Sequence, residues 1–203
     1  MPHYIRVLGE TNPAIPVTKL RDYLREQNLK ATLEVDDGDE EDWTTLLVKD
    51  AKDRDIILIE KNIVLEGELG EEEIEEFQEE VLDYKPTSAA TWLTEYLNEV
   101  KVIYAFQILN SVDNEENWSI VGELKSMIWQ STKGIIQADH EGFSNREGYH
   151  ILWQFRDDVS GEWSMAVNDI HGHWTKFIMD LGDPAQREEF WNGKVPKGAR
   201  KIE

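Results

Sequence analysis

Five histidines are the side chains of this 203-residue sequence best suited to proton transfer or metal ligation near neutral pH. Four of them fall late in the chain. Asp139-His140-Glu141-Gly142 closes one expected strand, His150 opens the next, and His171-Gly172-His173 separates two more. Hairpin pairing would bring Asp139, His140, Glu141 and His150 into one sheet. Imidazoles beside carboxylates can hold a divalent ion or supply the general base of a hydrolase. These four are the candidate binding residues. Their spacing is not the His-Glu-x-x-His of a metalloprotease, and the His171-Gly172-His173 triplet reads as a turn. Histidines in turns and on strand faces are usually structural, so no metal and no cofactor are expected.

Other chemistries find less support. Asp36-Asp37-Gly38-Asp39-Glu40-Glu41-Asp42 is rich in carboxylates but lacks the ligand order of a calcium loop, and it reads as a solvated hairpin tip. No serine lies in a Gly-x-Ser-x-Gly elbow. Gly67-Glu68-Leu69-Gly70 is flanked by carboxylates that would repel a phosphate. Without cysteine, disulfides and thiolate chemistry are excluded. Tryptophan is frequent, with eight residues of which seven follow position 90. Trp153, Trp163 and Trp174 are expected on neighbouring strands, in contact. Most of the tryptophans should pack in a core, with one or two exposed.

The formal net charge is −21. Residues 1–100 hold 26 acidic and 10 basic side chains, against 16 and 11 in residues 101–203. Such a polyanion repels phosphate backbones and anionic headgroups, so neither a nucleic acid nor a membrane is an expected partner. No apolar run approaches the ~20 residues of a membrane span. The stretch Met1-Pro2-His3-Tyr4-Ile5-Arg6 does not resemble a secretory leader, which makes a cytoplasmic setting the expectation.

The elements that must position these residues follow from periodicity. Tyr4–Leu8 reads as a strand. Val17, Leu20, Tyr23 and Leu24 recur at helical spacing, and Ala31–Val35, Trp43–Val48, Ile56–Ile59 and Ile63–Leu65 read as four strands. Glu71–Tyr84 is an acidic amphipathic helix. After Pro86, the residues Ala89, Trp92, Leu93, Tyr96 and Leu97 form a wide apolar stripe on a second helix. Val100–Leu109 is a strand, and Asp113 or Asn114 caps a helix running to about Trp129. Strands are expected at Ile135–Asp139, Tyr149–Phe155, Trp163–Val167 and Trp174–Met179. Asp183-Pro184-Ala185-Gln186 opens the last helix, with an extended tail beyond Gly193.

That order repeats, as strand, helix, four strands, helix. Val17, Leu20, Tyr23 and Leu24 match Val121, Leu124, Met127 and Ile128 at a constant offset, and Glu75-Glu76-Phe77 matches Glu188-Glu189-Phe190. The expectation is an α+β fold of two diverged tandem units, antiparallel sheets with helices on one side: 1–84, a connecting helix 85–99, and 100–203, in one cooperative body. Two such units resemble the TATA-binding-protein-like fold in topology. No motif of that family is present, and its nucleic-acid function does not transfer. The leading functional expectation is a non-enzymatic interaction or ligand-binding protein, whose partner is a protein or a small molecule. The alternatives are a metal- or histidine-assisted hydrolase using Asp139, His140, Glu141 and His150, and an acidic mimic of nucleic acid.

Overall fold

The computed structural model describes residues 3–202. Met1 and Pro2, part of the stretch read above for a leader, and Glu203 lie outside the described residues. In chain order the elements are β1 (His3–Gly9), α1 (Val17–Glu26), β2 (Thr32–Gly38), β3 (Trp43–Lys49), β4 (Asp55–Ile63), α2 (Leu69–Val81) and α3 (Thr87–Leu97). Then come β5 (Val102–Ile108), α4 (Glu115–Thr132), β6 (Ile135–Ala138), β7 (Gly142–Phe143), β8 (Glu162–Asn168), β9 (Trp174–Asp180), α5 (Pro184–Trp191) and β10 (Arg200–Lys201). The fold is α+β. It packs as two compact units, each assembled from two stretches of chain: residues up to Glu72 with Val100–Gly134, and Glu73–Glu99 with residues from Ile135 onward.

In the first unit the strands lie in the order β2-β3-β4-β5-β1, each neighbouring pair antiparallel. Val7 faces Tyr104, Phe106 faces Ile59, and Val48 faces both Ile57 and Leu33 across the ladders. Because side chains alternate along a strand, this register gathers one continuous apolar face. Helices α1 and α4 contribute Val17, Leu20, Leu24, Ile120, Val121, Leu124 and Ile128 to the same buried cluster. Asn114 caps α4, its side chain accepting the Asn117 N–H at 3.0 Å. Trp43 is buried against Tyr104 with ring centroids 5.7 Å apart, and its indole N–H donates to the Ile15 carbonyl at 2.8 Å. The Tyr104 hydroxyl is buried with no hydrogen-bond partner among the described residues.

A polar knot ties the β3–β4 turn to the start of α4. Asp50 accepts the backbone N–H groups of Lys52 and Arg54 at 2.8 and 3.0 Å and the Arg54 Nε at 2.8 Å. Arg54 reaches on to Asp113 at 2.9 Å, while Asn117 donates to the Ser111 carbonyl at 2.8 Å. The Arg54 backbone N–H, with the other donors behind it, holds the pKa of the Asp50 carboxyl down to about 2.

The second unit holds α3, the β6–β7 hairpin, and an antiparallel sheet ordered β10-β9-β8. The core against this sheet has an aromatic centre of Trp153, Phe155, Phe177 and Phe190, packed with Met165, Val167, Met179 and Leu181. Asp183 caps α5 through the Ala185 and Gln186 N–H groups, with Pro184 in the first turn as the sequence indicates. Phe77 of α2 meets Phe143 edge-on at 5.3 Å.

Three expectations change. Ile56–Ile59 and Ile63–Leu65 are not two strands: Glu60, Lys61 and Asn62 carry β4 through, paired with Ala105, Tyr104 and Ile103 of β5. Tyr149–Phe155 is not a strand, since its backbone bonds scatter. The N–H of His150 goes to Ser164, that of Ile151 to Phe143 and that of Trp153 to Lys85. Finally, β5 and α4, expected to open a second copy, complete the sheet and core of the first unit. The strand order therefore gives no support to tandem duplication or to a TATA-binding-protein-like topology.

Candidate functional site

Asp139, His140 and Glu141 form the turn of the β6–β7 hairpin, where the Glu141 N–H donates to the Ala138 carbonyl at 3.1 Å. His140 has a positive φ of 65°. Of the four candidate residues, the fold brings Glu141 and His150 together, their Oε2 and Nε2 atoms 3.8 Å apart. The His150 ring also stands edge-on to Trp163 at 4.9 Å and lies 5.6 Å from Phe155. Its backbone is pinned to β8, donating to Ser164 and accepting from Ala166 at 3.0 and 2.8 Å. Among the described residues, no group of three or more histidine, aspartate or glutamate side chains could hold a metal ion. The local arrangement is that of an aromatic cluster with one carboxylate beside it.

His171-Gly172-His173 does lie in the β8–β9 turn. Asp169 accepts the N–H groups of His171 and His173 at 2.8 and 3.0 Å. Those two donors, His173 first, lower the Asp169 pKa from its ordinary value. The expected contact among Trp153, Trp163 and Trp174 is not formed as a set. Trp163 lies opposite Met179 and Trp174 opposite Asn168, at opposite ends of the β8–β9 ladder. Trp174 instead meets Trp92 of α3 edge-on at 5.2 Å, and Trp92 stacks on Tyr96 at 5.3 Å. Arg146 lies over both α3 rings, 5.7 and 5.1 Å from their centroids. Trp118 and Trp191 are exposed.

The feature of the second unit that sequence reasoning missed is a groove of about 550 Å³. Its walls are the start of α3 (Lys85, Ser88), the β8–β9 turn (Asn168, Ile170) and the end of α5 (Trp191, Gly193). Each wall has a local cause. Pro86 precedes α3 and leaves its first turn without a side-chain cap. The turn amides are taken up by Asp169, which leaves Ile170 at the tip, 95% exposed. At the end of α5, the Gly193 N–H bonds to the Phe190 carbonyl and the Lys194 N–H to that of Glu189, a closure that requires the positive φ of 71° found at Gly193. Phe190 is fully buried, so Trp191, one position on, is turned outward and is 41% exposed. Its ring meets Trp153 edge-on at 5.6 Å.

Lys85 donates to the Thr87 hydroxyl at 3.1 Å, and Asn168 donates through Nδ2 to the Ser88 carbonyl at 3.4 Å. The Asn168 Oδ1 atom is buried and has no hydrogen-bond partner among the described residues. Two signals in the sequence pointed here: an isoleucine inside the polar turn Asn168-Asp169-Ile170-His171-Gly172, and the adjacent aromatics Phe190-Trp191, which one helix face cannot bury together.

Comparison with protein-family models, with curated proteins and with solved structures finds no match for this chain. Among the described residues, no helix is long and apolar enough to cross a membrane.

Proposed function

We propose that this chain acts by binding, and that the groove between α3, the β8–β9 turn and α5 is where it engages a small molecule or a short segment of another protein. The observation that carries this reading is the pairing of two exposed apolar side chains, Ile170 and Trp191, along a groove of ligand size. Isolated apolar residues on a surface are ordinary, whereas two lining one concavity offer a ligand apolar area to cover.

The hydrolase reading draws on the 3.8 Å approach of Glu141 to His150. The aromatic rings against His150 support a packing role for it instead. The interaction reading is tested by a fragment screen on the isotopically labelled chain, observed through backbone amide and indole resonances. Hits should converge on Ser88, Ile170 and the Trp191 indole, and Trp191→Ala should remove them. Hits that converge on Glu141 and His150, or a groove that no fragment perturbs, would overturn it.

A further inference from the structure

Independently of the groove, we infer that the turn joining β4 to α2 in the first unit is a docking surface for a basic amphipathic helix of another protein. Three aliphatic side chains are open to solvent here: Ile63 at 39%, Leu65 at 59% and Leu69 at 69% exposure. Singly they would be ordinary, but the backbone gathers them. The Glu68 N–H donates to the Leu65 carbonyl at 3.0 Å, closing a turn, and the Gly67 N–H donates to Glu71 Oε2 at 2.8 Å. Gly70 then brings the start of α2 against the end of β4, so closely that a Cβ there would lie 2.5 Å from the Ile63 carbonyl oxygen. The result is a short, rigid apolar patch.

The charge around the patch selects the occupant. Glu66, Glu68, Glu71 and Glu72 are interleaved with the apolar residues. Among the described residues no ion pair neutralises Glu66, Glu68 or Glu72. Lys101, whose carbonyl accepts the Val64 N–H at 3.0 Å, sets one positive charge against four negative ones. An anionic membrane surface is repelled by that balance, and a second copy of the chain would oppose the same carboxylates to these. Strand addition finds the segment closed, because β4 is already paired on both sides by β3 and β5 and the turn amides are taken. Contact must therefore be made by side chains. A helix with an apolar stripe flanked by lysine or arginine covers the aliphatic residues and meets the carboxylates together.

The probe is a peptide of roughly 18 leucine and lysine residues, long enough to hold a helix, with leucines at i, i+3, i+4 and i+7 spacing. Titrated into the full labelled chain, it should shift the amides of residues 63–72 first. A peptide of equal charge with serine in place of leucine should bind at least about 10-fold more weakly, as should the wild-type peptide to Leu65→Ser/Leu69→Ser, whose thermal melt should not move. Glu66→Gln/Glu68→Gln/Glu72→Gln, which spares the structural Glu71, should weaken binding about 3-fold or more and reduce its salt dependence. Shifts that fall instead on the acidic β2–β3 turn, no shift at residues 63–72, or an affinity indifferent to Leu65→Ser/Leu69→Ser would overturn the assignment. Self-association of the chain in sedimentation, or its binding to phosphatidylserine-containing vesicles, would also overturn it if Leu65→Ser/Leu69→Ser abolished either.

Discussion

Replacing Tyr104 by phenylalanine should make this protein more stable. Tyr104 is fully buried in β5, and its hydroxyl has no partner among the described residues. A buried polar group left unpaired costs about 1–3 kcal/mol relative to its hydrated state in the unfolded chain. Removing the oxygen leaves a void of roughly 10–15 Å³, which at about 24 cal/mol per Å³ costs about 0.3 kcal/mol. The net expectation is a gain of about 1–2 kcal/mol, or roughly 2–8 °C in Tm for a chain of this length. Equilibrium urea unfolding with a constant m-value measures the gain directly. A second readout comes from alkaline pH. Burial first, and then the charge of Asp42, raise the phenol's pKa well above its ordinary value. A group raised in the folded state contributes stability that is complete below the unfolded pKa of about 10 and is lost as pH climbs toward the folded value. Tyr104→Phe should therefore also flatten the alkaline limb of the stability profile. Trp43→Phe is the contrasting variant, since it removes the indole donor from the Ile15 carbonyl and opens a cavity; it should cost about 2–4 kcal/mol. A Tyr104→Phe protein destabilised by more than about 1 kcal/mol would refute the reasoning, because the hydroxyl would then have to be satisfied in the folded state.

Acid should loosen the first unit through Asp50. Its folded pKa of about 2 lies below the unfolded value of about 3.9, so its contribution is present above about pH 4 and is lost as pH falls toward 2. Asp50→Asn should flatten that limb in a pH series of urea melts. Trp92 is half-buried, stacked on Tyr96 and edge-on to Trp174, so Trp92→Ala should cost about 2–3 kcal/mol, less than the loss of a fully buried tryptophan. An unchanged melt with altered sedimentation would mean that α3 presents its stripe to a partner. Two separate transitions in the wild type would rule out one cooperative body. His150→Ala and Glu141→Ala should leave the metal content of purified protein unchanged by elemental analysis; stoichiometric metal lost with either variant would restore the metal reading.

Local periodicity and end chemistry were enough to read the helices and most of the strands. Asn114 and Asp183 cap the helices that their sequence context indicates, because capping depends on a few neighbouring backbone groups. The turn at His171-Gly172-His173 was legible for the same reason. The tryptophans were expected to pack mostly in a core with one or two exposed; Trp118 and Trp191 are exposed, but only Trp43 and Trp153 are buried and the other four are half-buried. Pairing between distant residues decided the rest. The polar run Glu60-Lys61-Asn62 looks like a break, yet it continues β4 because β5, much further along the chain, supplies its hydrogen bonds. Tyr149–Phe155 alternates like a strand but finds no single neighbour along its length, so its amides bond to three separate segments. Apparent repetition misled because apolar spacing in a helix reports only that one face is buried, and α1 and α4 bury theirs in the same core. The candidate site divided along the same line. The sequence could nominate Glu141 and His150 by their chemistry. The groove brings Lys85 and Ser88 together with Ile170 and Trp191, residues far apart in the chain, and only the tertiary fold determines which of them share a wall.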